Sequence, residues 1–520
     1  MQRSLFWKSL LCVFALFILA AMELWGSYLF RPIQIENAEN NEIQLVPQKS
    51  IPLSAVVPNR SYARATFAGN PYRVGRTITP TTTFSEAEAN ISINPTDSAT
   101  LVSVITDYSL RPGTVDTNGV TKFAISSDFG RTWTESFVPL AFNVYGATSD
   151  GFSWLVDRDP GIAIDNAGNV YISGLYLKFP SGSDASLLSH AVAPGGMYVC
   201  AGVLPSVTLT SADCRPVYAD TAVNPTTTVD RGWIAVDRST SAFSGNVYAV
   251  WTLYTGCAGT SCQAKYIAFS RSTDHGVTWS PPIQLNVTTQ TIVDWAMVTV
   301  GGDGTVYVAY EYFVDVNNSR QHWIVKSTDG GVTFNTPIQM TPTYHEVVFN
   351  APFRKNSAPN IVVSSVAGKE YVYDVFPTQN GNFSDILMVR SNKPKGLGGF
   401  TAPVALDDTS VAQRVFPAAT VDGNGTLHTI WLDTRNSPSR QSCYDVYGTY
   451  SKDLGVTFAP NARVTRMIID GNTDFLGDYF GSPPSPALAS RTRFGQMGET
   501  STVTCKPPRS HPSKLLGDGV

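Results

Sequence analysis

The octapeptide Ser126-Ser127-Asp128-Phe129-Gly130-Arg131-Thr132-Trp133 returns as Ser272-Thr273-Asp274-His275-Gly276-Val277-Thr278-Trp279, as Ser327-Thr328-Asp329-Gly330-Gly331-Val332-Thr333-Phe334 and as Ser451-Lys452-Asp453-Leu454-Gly455-Val456-Thr457-Phe458. Four copies of S-x-D-x-G-x-T-[W/F] make the chain a repeat protein, and an internal period decides the fold class ahead of any other signal. In such a box, Ser and Asp can accept hydrogen bonds from backbone N–H groups one or two residues on. Gly can take the positive φ of a tight reversal, and the closing aromatic can anchor the loop on its own sheet. The box therefore predicts a hairpin turn and not a catalytic loop.

The spacing extends this reading. Asp274 and Asp329 stand 55 residues apart, whereas Asp128 to Asp274 is 146 and Asp329 to Asp453 is 124. Each long gap is near twice a repeat of about 60–70 residues, so each should hide one degenerate box. The candidates are the cysteine-bearing insertion from Cys200 to Cys214 and the stretch from Val389-Arg390-Ser391-Asn392 to Gly399-Phe400. Ahead of each box lies a second repeated element, a short apolar run, a Gly/Asn/Asp turn and an alternating run. Examples start at Asn90, Asp159, Arg231, Asp294, Ala358 and Phe416. Each reads as the inner hairpin of a blade. A seventh start, Phe475 to Gly481, begins and then loses the pattern. The expected fold is all-β, a propeller of six or seven blades over 84–481 with the last blade incomplete.

The boxes and hairpins resemble the Asp box, or BNR repeat, of the sialidase superfamily over nearly the whole repeat region. The resemblance implies boxes away from the active site. It also implies a site with an arginine triad for a substrate carboxylate, a tyrosine nucleophile activated by a glutamate, and an aspartate as acid/base. The candidates are the groups beside the inner strands: Arg231 next to Asp230, Arg414, and Asp433 with Arg435 in Trp431-Leu432-Asp433-Thr434-Arg435. Tyr310 and Glu311 form the Tyr/Glu cluster of a strand, and Asp478-Tyr479 opens the last unit. The competing reading is that Asp and Arg at strand ends pair between neighbouring blades. The family's early F/Y-R-I-P motif has its nearest counterpart in Tyr72-Arg73-Val74-Gly75, without the proline, so sialidase-like architecture is the firmer expectation than sialidase activity. Two functions stay open: a glycoside hydrolase acting on sialic acid or a related sugar, and a non-catalytic propeller that binds a glycan or a protein. The partner in either case is a carbohydrate or glycoprotein.

Composition fits an exported β protein. Charged residues make up 15% of the 520-residue chain, against roughly 25% in an average globular protein, and a net charge of −4 argues against nucleic acid. Arg3 and Lys8 precede an uncharged, mostly apolar run from Ser9 to Met22. Residues 1–30 therefore read as a signal peptide or as an uncleaved membrane anchor, and 31–83, rich in Pro and Asn, as a linker. Either way the localisation is extracytoplasmic, with membrane contact only through that N-terminal segment. Cys200 with Cys214 and Cys257 with Cys262 bracket short loops and predict two local disulfides. Cys443 is left alone, Cys12 lies in the export segment and Cys505 in the tail. No cysteine or histidine cluster calls for a metal, and no cofactor is expected. The tail 482–520 breaks the blade pattern. Codons for Arg493 to Thr500 read two nucleotides later can encode V-W-A-D-G-R-D, which resembles the end of an inner hairpin, so a shifted frame after about Gly481 is one reading and an ordinary disordered tail the other.

Overall fold

The structure, a computed structural model, describes residues 33–34, 86–107, 120–139, 152–180, 195–220, 226–257, 261–349, 355–366, 369–393, 396–409, 411–437, 443–465, 469–470 and 479. The N-terminal segment 1–30, the linker apart from two residues, Tyr72–Gly75, Asp478, Cys12, Cys505 and the tail 482–520 lie outside the described residues. Among the described residues, no helix is long and apolar enough to cross a membrane.

Among the described residues the strands form six antiparallel blades in chain order, of four strands in blades 1 to 3 and of five in blades 4 to 6, where Tyr344–His345, Val404–Ala405 and Ile469–Asp470 add a short extra strand; Ile33–Gln34 pairs separately with Ser261–Cys262. Blade 1 holds β1 (Glu86–Ile93), β2 (Leu101–Asp107), β3 (Val120–Ser126) and β4 (Thr134–Phe137). Blade 2 holds β5 (Phe152–Ile164), β6 (Asn169–Pro180), β7 (Gly195–Val203) and β8 (Cys214–Ala219). Blade 3 holds β9 (Thr227–Val236), β10 (Val247–Thr255), β11 (Ala264–Ser272) and β12 (Ile283–Gln284). Blade 4 holds β13 (Val293–Val300), β14 (Val306–Phe313), β15 (Ser319–Ser327) and β16 (Ile338–Gln339). Blade 5 holds β17 (Asn360–Val366), β18 (Lys369–Asn380), β19 (Phe383–Lys393) and β20 (Gly396–Phe400). Blade 6 holds β21 (Arg414–Val421), β22 (Leu427–Asp433), β23 (Cys443–Ser451) and β24 (Ala462–Arg463). The propeller thus has six blades among the described residues, and the sixth carries all four blade strands and the extra one. Of the stretch read as a seventh start, only Tyr479 is described, and its ring meets Trp233 edge-on at 5.3 Å.

Cores sit between blades, because both faces of an internal sheet must be covered. Val104 and Phe123 of blade 1 pack with Ile162 and Ile172 of blade 2. Trp251 of blade 3, fully buried, packs with Leu175 and Val199 of blade 2. The same interdigitation joins blades 3 and 4, 4 and 5, and 5 and 6.

The four boxes lie between the third and fourth strands of blades 1, 3, 4 and 6, at one end of the propeller. In each, the Ser hydroxyl accepts from the Gly N–H (2.8 Å in Gly276) and donates to the Asp (2.7 Å from Ser272 to Asp274). The Asp also accepts from the Thr backbone (2.9 Å at Thr278) and from its hydroxyl. The Asp274 carboxyl is held down at about 2, chiefly by the Thr278 side chain. The reach is two to four residues, longer than the sequence suggested. The anchoring aromatic also differs: Phe334, in the box of blade 4, meets Phe269 of blade 3 edge-on at 4.8 Å, so the box clamps the preceding blade as well as its own.

The two hidden boxes fall where the spacing placed them. Blade 2 replaces its box with a hairpin closed by the Cys200–Cys214 disulfide, and blade 5 with the hairpin of β19 and β20, in which Gly399 of β20 takes φ 105°. Cys257 and Cys262 also pair. Cys443 is disulfide-bonded too, which corrects the expectation that it stands alone; its partner lies outside the described residues.

Candidate functional site

The end opposite the boxes is built on a repeated irregularity. In five blades the first strand breaks register near its start: between Ala87 and Asn90, Arg158 and Gly161, Asp230 and Trp233, Asp294 and Met297, and Val415 and Ala418. Each break carries a non-glycine residue with positive φ: Glu88 (61°), Asp159 (52°), Arg231 (55°), Trp295 (56°) and Phe416 (51°). An alanine, proline or glycine follows each of them: Ala89, Pro160, Gly232, Ala296 and Pro417. A left-handed residue of this kind costs on the order of 1–3 kcal/mol and persists only where its surroundings hold it. What holds it here is a relay from blade to blade. The Glu88 carboxylate accepts from the Asp159 N–H at 3.3 Å, and the Asp159 carboxylate accepts from the Arg231 N–H at 3.0 Å. The Arg231 guanidinium then lies over the Trp295 ring, 3.7 Å from its centroid. Blade 5 has no bulge; there Asn360 accepts from the Ala419 N–H of blade 6 at 2.9 Å.

Arg231, Trp295, Phe416 and Asn360 of this set line a pocket at the mouth. Blade 3 contributes Arg231, Gly232 and Trp233, blade 4 Trp295 to Met297, blade 6 Phe416 and Pro417. The approach to blade 5 adds Asn356 and Ala358 to Asn360, and Tyr479 closes one side. The lining is aromatic and apolar with one guanidinium and two amides, and no carboxylate among the described lining residues. Because Asn360 commits its carbonyl oxygen to Ala419, the group it can offer a ligand is a donor.

Arg231 is the one candidate arginine that lines the pocket. Its Nη1 pairs with Asp230, and its Nε stands 3.7 Å from Asp294. Asp294 also binds the Lys265 ammonium at 2.9 Å and the Thr252 hydroxyl at 2.7 Å. Burial alone would raise the Asp294 carboxyl, but Lys265 and Arg231 overcome it and hold it at about 2.

Arg414 and Arg435 lie elsewhere and meet on one carboxylate. Asp433 Oδ2 takes Arg414 Nε at 3.2 Å, Arg435 Nη2 at 2.7 Å and Trp431 Nε1 at 3.0 Å. Burial would raise Asp433, yet these donors keep it below the usual carboxylate range, the wrong direction for a general acid at neutral pH. Arg414 is fully buried and also faces Asp385 and Asp407 of blade 5, so it ties two blades together. Arg435 stacks over Tyr447 and pairs with Asp408. The three guanidinium groups therefore do not converge on one pocket.

Tyr310 and Glu311 face opposite sides of β14. The Tyr310 hydroxyl donates to Gln290 at 2.8 Å inside the core between blades 3 and 4, and burial pushes it well above its ordinary range. Glu311 instead accepts from Tyr344, 3.1 Å away. Tyr344 in turn sits 2.5 Å from His322 Nε2, and His322 Nδ1 sits 2.7 Å from Asp374. Burial pushes Glu311 up to about 7. Tyr344, Glu311, His322 and Asp374 are all buried and none lines the pocket. Tyr344 escaped the sequence reading because it belongs to a two-residue bridge outside the blade pattern. Trp233, Trp295 and Phe416 escaped it as pocket-lining residues, although each stands beside a small residue or proline at a strand start.

No family model matches the chain, and no curated protein matches it. Among solved structures it is similar to the leech intramolecular trans-sialidase, at 12% identity and TM-score 0.44 over 71% of this chain and 67% of that one. It is also similar to the intramolecular trans-sialidase of Ruminococcus gnavus, at 13% and 0.42 over 68% and 90%. A third is the Trypanosoma rangeli sialidase, at 13% and 0.41 over 70% of this chain and 54% of that one, so the chain spans about half the length of that enzyme. Among the described residues the chain is a six-bladed β-propeller. What its mouth accepts has to follow from the side chains that line it.

Proposed function

We propose that the propeller binds a carbohydrate in its mouth pocket and does not hydrolyse it. The observation that carries this reading is the lining: Trp233, Trp295, Phe416 and Tyr479 surround the space, with Asn356, Asn360 and Arg231 as polar groups and no carboxylate among them. The apolar C–H face of a sugar ring stacks on an aromatic ring, and a few fixed polar groups orient its hydroxyls, which is the general make-up of a small-molecule pocket. Cleavage of a glycosidic bond calls for two carboxyl groups, or a tyrosine and its base, flanking the bond. Here the tyrosine–glutamate pair, Tyr344 with Glu311, is buried away from the pocket. Two disulfides and the low charge content support export through the N-terminal segment, which belongs to the same proposal.

The test is a panel of glycans and of the matching fluorogenic glycosides, sialosides included, presented to the purified full chain. Saturable binding without turnover is the expected result. Turnover of any member by the wild type, or no binding to any member, would overturn the reading.

A further inference from the structure

The charges around the mouth pocket point away from an acidic ligand. Arg231 is the cation in the lining, and it arrives already matched. Asp230 pairs with its Nη1, Asp294 stands beside its Nε, and the ring of Trp295 covers its face. Lys265, the next cation inward, is engaged by the same Asp294 at 2.9 Å, with its ammonium 4.4 Å from the centroid of Tyr254. Among the described residues, two cations and two carboxylates meet in this cluster. The Asp159 carboxylate accepts from the Arg231 N–H at 3.0 Å. Lys355, beside the lining residue Asn356, has its ammonium over the Phe349 ring.

Resting on the carbohydrate reading above, we propose that the pocket selects an uncharged sugar and disfavours a carboxylated one such as sialic acid. A carboxylate is held best by guanidinium groups that offer it a bidentate edge with net positive charge behind them. Here an incoming carboxylate would compete with Asp230 and Asp294 for one guanidinium. Like charges brought together in a desolvated site weaken binding more than a rim cation restores. A neutral ring meets none of this opposition. It gains the aromatic surface and the donor that Asn360 presents, while the stacked Arg231 and Trp295 act as one flat platform.

The experiment uses glycan pairs that differ only in a terminal sialic acid, for example lactose and 3′-sialyllactose together with an array of similar pairs, titrated against the full chain. Neutral members should bind at least about tenfold more tightly than their sialylated partners. Asp230→Asn keeps an acceptor for the Arg231 N–H but removes a charge, and it should shrink that ratio toward one with the melting temperature checked in parallel. Tighter binding of the sialylated members by the wild type would overturn this inference and leave carbohydrate binding standing. Failure of the wild type to bind any member would remove the carbohydrate reading itself, and this inference with it.

Discussion

The two ends of the propeller repeat in different ways. At the box end, blades 1, 3, 4 and 6 repeat side chains: the same Ser, Asp, Gly and Thr make the same bonds each time, as in Ser126 with Asp128 and Ser451 with Asp453. At the mouth, five blades repeat a backbone, a bulge and a left-handed residue, while the side chains placed on it differ completely: Glu88, Asp159, Arg231, Trp295 and Phe416. Uniform side chains on a uniform turn are what stability alone requires. Strained, uniform backbone carrying five different side chains is what a binding site requires, because the scaffold fixes where each group points and leaves its chemistry free to vary. The difference is what the proposed binding role of the mouth calls for, with three of the five side chains, Arg231, Trp295 and Phe416, lining its pocket.

The comparison can be broken first at Arg414, which belongs to the mouth end by position but to structure by environment. Arg414→Ala removes the buried cation that shares Asp433 with Arg435 and faces Asp385 and Asp407, and it should destabilise by about 3–5 kcal/mol in denaturant unfolding. A loss under about 1 kcal/mol would mean that the blade 5–6 junction is held by something else.

The box end is sharpened by two glycines of the same motif. A side chain at Gly331, φ 82°, would place its Cβ 2.7 Å from the Phe269 ring, so Gly331→Val should cost about 2–4 kcal/mol from strain and overpacking together. Gly276, φ 84°, has its nearest neighbour, Tyr171, at 3.7 Å, so Gly276→Val meets backbone strain without the clash and should cost about 1–2 kcal/mol. Equal melting temperatures for the two variants would show that the boxes do not clamp neighbouring blades.

The smallest effect concerns pH, and the two ends should respond in opposite directions. Asp274 is lowered from 3.8 to about 2, so its contribution is present above the unfolded value and is lost as pH falls through about 2; exposure makes it small. Glu311 is raised from 4.5 to about 7, so its contribution is present below 4.5 and is lost as pH rises through about 7. Between pH 5 and pH 8 the wild type should lose a few degrees of melting temperature that Glu311→Gln does not lose. Parallel profiles for the two proteins would contradict the buried position of that carboxyl.

What the sequence disclosed follows the same division. The boxes, the inner hairpins, both hidden box positions and two disulfides were legible, because each depends on residues near one another in the chain. Arg231 was legible because charge at a strand start stands out. Trp233 and Trp295 were not, since an aromatic beside an apolar run reads as core until the fold shows that its strand begins at an open mouth; Phe416 lines the pocket and is core as well. Tyr344 was hidden for another reason: its partners Glu311, His322 and Asp374 come from two blades, and only the ring brings them together. The pairing of Arg414 and Arg435 on one aspartate was hidden likewise, because local spacing does not say which strand-end charges share a partner.

The claim that recognition belongs to the mouth is tested most directly by glycan titration of three full-length proteins: wild type, Trp233→Ala at the mouth and Gly276→Ala at a box. Saturable binding without turnover by the wild type, loss of at least about tenfold in affinity for the mouth variant, and unchanged affinity for the box variant once folding is confirmed are the expected results. Equal binding by the wild type and Trp233→Ala, or loss confined to the box variant, would contradict the claim.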